Sequence, residues 1–180
     1  LPHVDAGRYC ATTEAEFGEL AKCAKIDHWC IFNCPTCTQA RMDSVKLTSI
    51  SGKDPTRGYS LIIEDADAIT SLAGLSGLSG ALQGSLVVGK MAKLRNLTGL
   101  GGVSSVGTDN HGWSIRLYNN PELENVLALE GASYQAGTLY IENNPKLVCA
   151  GVPSGWPATD MEGKTIRAGT CAPTGAPTAA

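Results

Sequence analysis

The sequence predicts a mainly β protein, a parallel solenoid with an N-terminal capping helix and disulfide-stapled ends. Three observations carry this. Four segments repeat one pattern: Ser60-Leu61-Ile62-Ile63, Ser85-Leu86-Val87-Val88, Ser114-Ile115-Arg116-Leu117 and Thr138-Leu139-Tyr140-Ile141. They lie about 25, 29 and 24 residues apart, a period at which each turn of chain buries its apolar row only against its neighbours. Apolar residues recur at fixed offsets within each unit: Ile63, Val88, Leu117 and Ile141 two residues after the first, then Ile69, Leu94, Leu123 and Leu147, then Leu75, Leu100 and Leu129. Lastly, the cysteines gather at the two ends of the repeats and are absent from their middle.

From the N-terminus, the Leu-Pro-His start is read as that of a mature secreted chain whose signal peptide has been removed. Thr12 to Lys25 is predicted as a helix, with Thr13 and Glu16 at capping-box spacing and Phe17, Leu20, Ala21 and Ala24 on one face. Such a helix would cover the first apolar layer. His28 to Arg41 reads as irregular, and Val45, Leu47 and Ile50 as a short strand ended by Gly52-Lys53-Asp54-Pro55. The repeat strands should pair in parallel, because each is reached by a long crossover. Glycine-rich runs at 72–78 and 97–103 suit tight corners, where glycine supplies positive backbone angles. The predicted divisions are a cysteine-rich cap (1–43), the solenoid (44–171) and a Pro/Thr-rich tail (172–180) too low in complexity to form a core.

The offsets resemble those of the receptor L domain, found in insulin- and EGF-receptor ectodomains and in fungal cell-wall proteins. The closest matches are Ile115-Arg-Leu-Tyr-Asn-Asn-Pro-Glu-Leu123 and Leu139-Tyr-Ile-Glu-Asn-Asn-Pro-Lys-Leu147, similar to the closing turn of that family. Cys149 and Trp156 follow the second, as a cysteine and a tryptophan often do there. Ordinary leucine-rich repeats place the leucine two residues after the asparagine, whereas Leu123 and Leu147 come three after Asn120 and Asn144. The resemblance implies a short right-handed β-helix over residues 10 to 171 and says little about function.

Seven cysteines in 180 residues read as staples on end turns that lack a neighbour on one side. A Cys149–Cys171 bridge is favoured, closing about 21 residues and contributing a few kcal/mol. Cys10, Cys23, Cys30, Cys34 and Cys37 then allow two bridges and one spare thiol, which is either buried or joins chains. Cys30, Cys34 and Cys37 also match the spacing of an iron–sulfur motif, and with His28 that of a zinc site. Disulfides are the favoured reading, and no metal or cofactor is expected.

Only 17% of residues are charged, with a net charge of -3 and no basic stripe, so nucleic-acid binding is not expected. No apolar run nears the roughly 20 residues that span a bilayer. Glu64, Asp65 and Asp67 are the densest acidic cluster; such carboxylates serve acid–base chemistry or calcium binding, but beside a turn they read as a solvated edge. His3, His28 and His111 are scattered, and no nucleophile sits in a recognisable elbow. Asn119, Asn120, Asn143 and Asn144 read as turn formers. The outward strand face carries Ile62, Val87, Arg116 and Tyr140 in one row and Glu64, Gly89, Tyr118 and Glu142 in the next. Aromatic anchors with arginine suit a contact surface, and Ile62, Val87, Arg116, Tyr118 and Tyr140 are its candidate residues. Asn96-Leu97-Thr98 is the one N-glycosylation sequon, and Thr170, Thr174 and Thr178 are candidates for O-glycosylation. The expected protein is a secreted, non-enzymatic structural or adhesive subunit that self-associates in an extracellular filament, matrix or cell-surface assembly. Its other expected partners are glycans or extracellular proteins. The alternatives are a ligand-binding ectodomain using the tyrosine face and a polysaccharide-acting β-helix enzyme.

Overall fold

A computed structural model describes residues 4–5, 8–11, 13, 15, 24–26, 29–134, 138–147, 151–153, 155–156 and 161. It is a parallel β-solenoid of about five turns. One seven-stranded sheet runs its length in the order β1 (Val4–Asp5), β2 (Arg8–Ala11), β4 (Trp29–Asn33), β6 (Tyr59–Glu64), β8 (Ser85–Gly89), β10 (Ile115–Tyr118) and β11 (Leu139–Glu142). Every pair is parallel except β1–β2. Two small sheets form further walls: β3 (Lys25–Ile26) with β5 (Ser49–Ile50), and β7 (Ser79–Leu82) with β9 (Gly102–Val106).

The register matches the repeat. Cys30, Leu61, Leu86, Ile115 and Leu139 lie side by side across five strands, and Phe32, Ile63, Val88, Leu117 and Ile141 form the next inward row. The later offsets are inward rows too: Ile69, Leu94, Leu123 and Leu147, and Leu75, Leu100 and Leu129, are all fully buried. At about 25 cal/mol per Å² of buried apolar surface, these rows dominate the stability.

Three local expectations are corrected. Trp29–Asn33, read as irregular, is a strand of the main sheet, because Cys30 and Phe32 supply the inward pair that leucine, isoleucine or valine supplies elsewhere. Ladder rungs therefore lie on both sides of residue 44. Lys25 ends not a helix but pairs with Ser49 in β3–β5; most of the predicted capping helix lies outside the described residues. Val45 and Leu47 are buried without strand pairing, and a short helix, α1 (Gln39–Asp43), precedes them.

The glycine-rich runs are also explained differently. Among the glycines at 72–78 and 97–103, only Gly99 has a positive φ. Gly74 is required by close approach, since a Cβ there would lie 1.8 Å from the Met42 carbonyl oxygen one turn earlier. The left-handed corners after the main strands are instead Asp65, Lys90, Asn119 and Asn143, one per turn. Asn and Asp tolerate this region through short polar side chains.

Polar ladders hold the corners. Asn120 and Asn144 are buried. The Asn120 side chain accepts from the Met91 amide at 3.1 Å and donates to the Val88 carbonyl and the Asn144 side chain; Asn144 donates to the carbonyls of Leu117 and Glu142. Before the strands, Ser60 donates to the Gly52 carbonyl and accepts from the Gly84 amide, and Ser114 bonds Thr138 at 2.8 Å. Ser85 occupies the equivalent place, but its buried hydroxyl has no partner among the described residues. Its desolvation is uncompensated, so Ser85→Ala is expected to hold or raise stability, by up to about 1 kcal/mol. A lower urea midpoint for that variant would contradict this reading.

Candidate contact face

The outer face of the main sheet gathers most of the chemistry that the described residues offer. Its first row runs Ile31, Ile62, Val87, Arg116, Tyr140, and its second Asn33, Glu64, Gly89, Tyr118, Glu142. All five predicted contact residues lie on it. Ile62 and Val87, expected to be exposed, are 96% buried and form a small second apolar cluster with Trp29, flanked by Ile31, Tyr59 and Tyr118.

The cover comes from β10. Tyr118 leans across β8 and donates its hydroxyl proton to Glu64 on β6. Gly89 makes this possible: a Cβ there would lie 2.4 Å from the Tyr118 ring. Arg116 leans the same way and donates to the Tyr59 hydroxyl at 2.9 Å. Two hydrogen-bonded bridges thus span β8 and roof Val87. Glu64 also accepts from the Asn33 amide at 3.5 Å, so it is half-buried and engaged, not a solvated edge. Asp65 accepts from Asn33 at 3.3 Å and pairs with Lys90 at 3.4 Å, while Asp67 is exposed.

The longest repeat spacing builds the other side of the face. The extra residues before β10 form a loop in which Asp109 accepts the backbone amides of His111 and Trp113, at 2.8 and 3.0 Å. The Asp109 side chain is fully buried, and its second carboxylate oxygen faces Arg116 at 3.6 Å. Arg116 is sandwiched between the Tyr59 and Tyr140 rings, with its guanidinium 5.9 and 5.1 Å from their centroids. Trp113 meets Tyr140 edge-on at 5.5 Å, and Tyr140 donates to Glu142. The loop docks on its neighbour where the Asn110 side chain donates to the Thr56 carbonyl at 2.6 Å. Gly58 must be glycine there: its φ is +85°, and a Cβ would lie 2.8 Å from the Asp109 Cα. His111 is exposed at the loop tip.

Burial, and then the hydrogen bond to Glu64, push the Tyr118 phenol above its usual ionisation range. The folded value exceeds the unfolded one, so the contribution to stability is complete below about pH 10 and is lost as pH rises above it. In an absorbance titration, Tyr118→Phe is expected to remove one late-ionising tyrosine from the native protein. If the variant loses an ordinary tyrosine step instead, the bridge is absent in solution.

The face carries a hollow of about 280 Å³ lined by Tyr59, Tyr118, Arg57, Lys90, Arg116 and Glu64, with the covered Ile62 and Val87 behind them. Arg57, Tyr59 and Trp113 are the functional candidates that repeat-based reading missed. Arg57 and Trp113 lie in loops outside the repeated offsets, and Tyr59 precedes the first repeated residue.

The remaining sites are dispersed. Cys34 and Cys37 form a disulfide, with Cα atoms 5.3 Å apart, which occupies two thiols of the metal-like motif; Cys30 is buried in the inward row. Cys10 belongs to β2 by its backbone; Cys23, Cys149, Cys171, His3, His28, Thr170, Thr174 and Thr178 lie outside the described residues, as does the favoured Cys149–Cys171 bridge. Asn96 is half-buried, and its side chain accepts the Thr98 amide at 3.0 Å in a turn. No helix among the described residues is long and apolar enough to cross a membrane. No protein-family model matches the chain, and no curated protein matches it.

Proposed function

We propose that this chain is a secreted, non-enzymatic, L-domain-like module that adheres to an extracellular partner through the outer face of its main sheet. One observation carries the reading: aromatic and arginine side chains from three strands and one inserted loop converge there, held by bonds that reach across strands. Arginine and aromatic anchors on a stiff backbone are the residues on which binding energy concentrates. A parallel ladder holds them at fixed spacing with little entropy left to lose on contact.

The non-enzymatic part rests on the carboxylates. Glu64 is engaged by Tyr118 and Asn33, Asp65 by Lys90, and Asp109 is buried beside Arg116. Each of these three carboxylates is thus already tied to a neighbouring donor. Contact through the face is favoured over end-to-end addition, because β11 is not a bare edge: its Ile141 carbonyl accepts the Met161 amide at 2.7 Å.

The test is retention on immobilised extracellular polysaccharides and matrix proteins, comparing the parent chain with a Trp113→Ala, Tyr140→Ala double variant. Both side chains lie outside the inward rows, so the fold should survive, as a thermal melt would verify. The parent is expected to bind at least one surface and the variant to lose about tenfold or more. Undiminished retention by a folded variant, or a parent that binds nothing, would sink the proposal.

A further inference from the structure

The pocket on the outer face has a chemistry of its own. Its size, about 280 Å³, falls just below the range of roughly 300–1,000 Å³ for drug-sized ligands, which suits a single substituted ring. Its tyrosine walls, Tyr59 and Tyr118, suit the C–H face of such a ring, while Ile62 and Val87 behind them are covered.

The polar groups are one-sided. Both oxygens of Glu64 are already engaged, one by Tyr118 and the other by Asn33. The Asp109 side chain, which balances Arg116, has no exposed surface. Glu64 and Asp109 are therefore committed or sealed, and Asp65, which does not line the pocket, also accepts from Asn33 at 3.3 Å. Donors remain. Arg57 is exposed and in no ion pair among the described residues. Lys90 holds Asp65 only through a solvent-exposed pair at 3.4 Å, the kind of contact that contributes little and exchanges readily. Tyr59 accepts from Arg116, which leaves its own proton to donate. A neutral sugar needs donors and acceptors together, whereas a carboxylate needs donors alone, and guanidinium matches it in a two-bond fork.

We propose that this pocket receives a carboxylate-bearing pyranose, one uronic-acid unit of an acidic polysaccharide. The ring lies between the Tyr59 and Tyr118 side chains, and its carboxylate meets Arg57 and Lys90. This rests on the reading of the outer face as a contact surface and names what that surface takes.

Calorimetric titration with trisaccharides of galacturonate, glucuronate and mannuronate, each beside its methyl ester, tests it. At least one acid is expected to bind, with its ester about tenfold weaker or more, as loss of a charge-assisted contact implies. Arg57→Ala and Lys90→Ala are each expected to weaken that acid by a similar factor at unchanged melting temperature. Equal binding of acid and ester, no effect of Arg57→Ala, or binding of none of the three acids would overturn the inference. So would a glutamate tripeptide that binds as tightly as the best trisaccharide, since the ring would then be irrelevant. If the acids fail while the Trp113→Ala, Tyr140→Ala variant still loses retention on immobilised surfaces, only the ligand class is wrong. If both experiments fail, the contact face falls with it.

Discussion

Gly99→Ala is expected to cost roughly 2–5 kcal/mol, the sum of a left-handed backbone penalty and an overpacking penalty. Gly99 has φ +114°, and a Cβ there would lie 1.9 Å from the Leu72 carbonyl oxygen of the preceding turn. The clash is with backbone, which no rotamer change relieves. Leu72, Leu97 and Leu100 around it are fully buried, so the coil has no slack to absorb the shift. Gly80→Ala is the control: its φ is +92°, yet nothing lies within 4 Å of the new methyl group. It should lose only the backbone term, about 1–2 kcal/mol. Urea denaturation of the pair separates the two costs, and equal losses would show that close approach contributes nothing at Gly99.

The second large effect is expected at the asparagine ladder. Asn120 is fully buried and serves three partners on two neighbouring turns: the Met91 amide, the Val88 carbonyl and the Asn144 side chain. Asn120→Ala strands these groups where water cannot reach them. At about 1–3 kcal/mol for each buried group left unsatisfied, a loss near 3 kcal/mol is expected once partial relaxation is allowed. Asn119→Ala is the comparison, because Asn119 is exposed and, among the described residues, its side chain accepts only from Asn143. It should lose roughly 1 kcal/mol, mostly from the positive φ that alanine tolerates poorly. If Asn119→Ala were the more damaging, the ladder would not be what joins the last three turns.

These two sites also show what was legible in the chain. Offsets of two, eight and fourteen residues survive as inward rows because every turn must bury the same stripe against its neighbours. The Asn-Asn-Pro turns read correctly as well, since a left-handed corner followed by a buried amide has few residues that satisfy it. Trp29–Asn33 escaped because cysteine and phenylalanine stand at its inward positions, and a disulfide-closed turn at Cys34–Cys37 follows where the other turns carry the repeat. Gly74 and Gly102 were read for backbone angle, whereas the spacing between coils excludes a side chain there.

The outer face was half legible for a related reason. Alternation along a strand tells which face a side chain takes, but not which side chain two strands away will lean over it. Alternation puts Ile62 and Val87 on the outer face, where Tyr118 and Arg116, reaching across β8, bury them. That reach depends on Gly89, a residue whose contribution is an absent side chain. The loop that brings Asp109 and Trp113 showed itself only as an irregular spacing of 29 residues among spacings of 25 and 24.

The claim that the outer face is the working surface is tested most directly by covalent footprinting of aromatic side chains, with the protein free and then bound to an extracellular surface that retains it. Tyr134 is the internal reference. It packs against Trp156 and donates to the Gly155 carbonyl at 3.2 Å, and it lines a different hollow beside Ser105 and Ser133. On binding, Tyr59, Tyr118, Tyr140 and Trp113 are expected to lose reactivity while Tyr134 keeps it. Protection of Tyr134 with the outer-face aromatics unchanged would contradict the assignment and move the contact to the hollow beside β7 and β9.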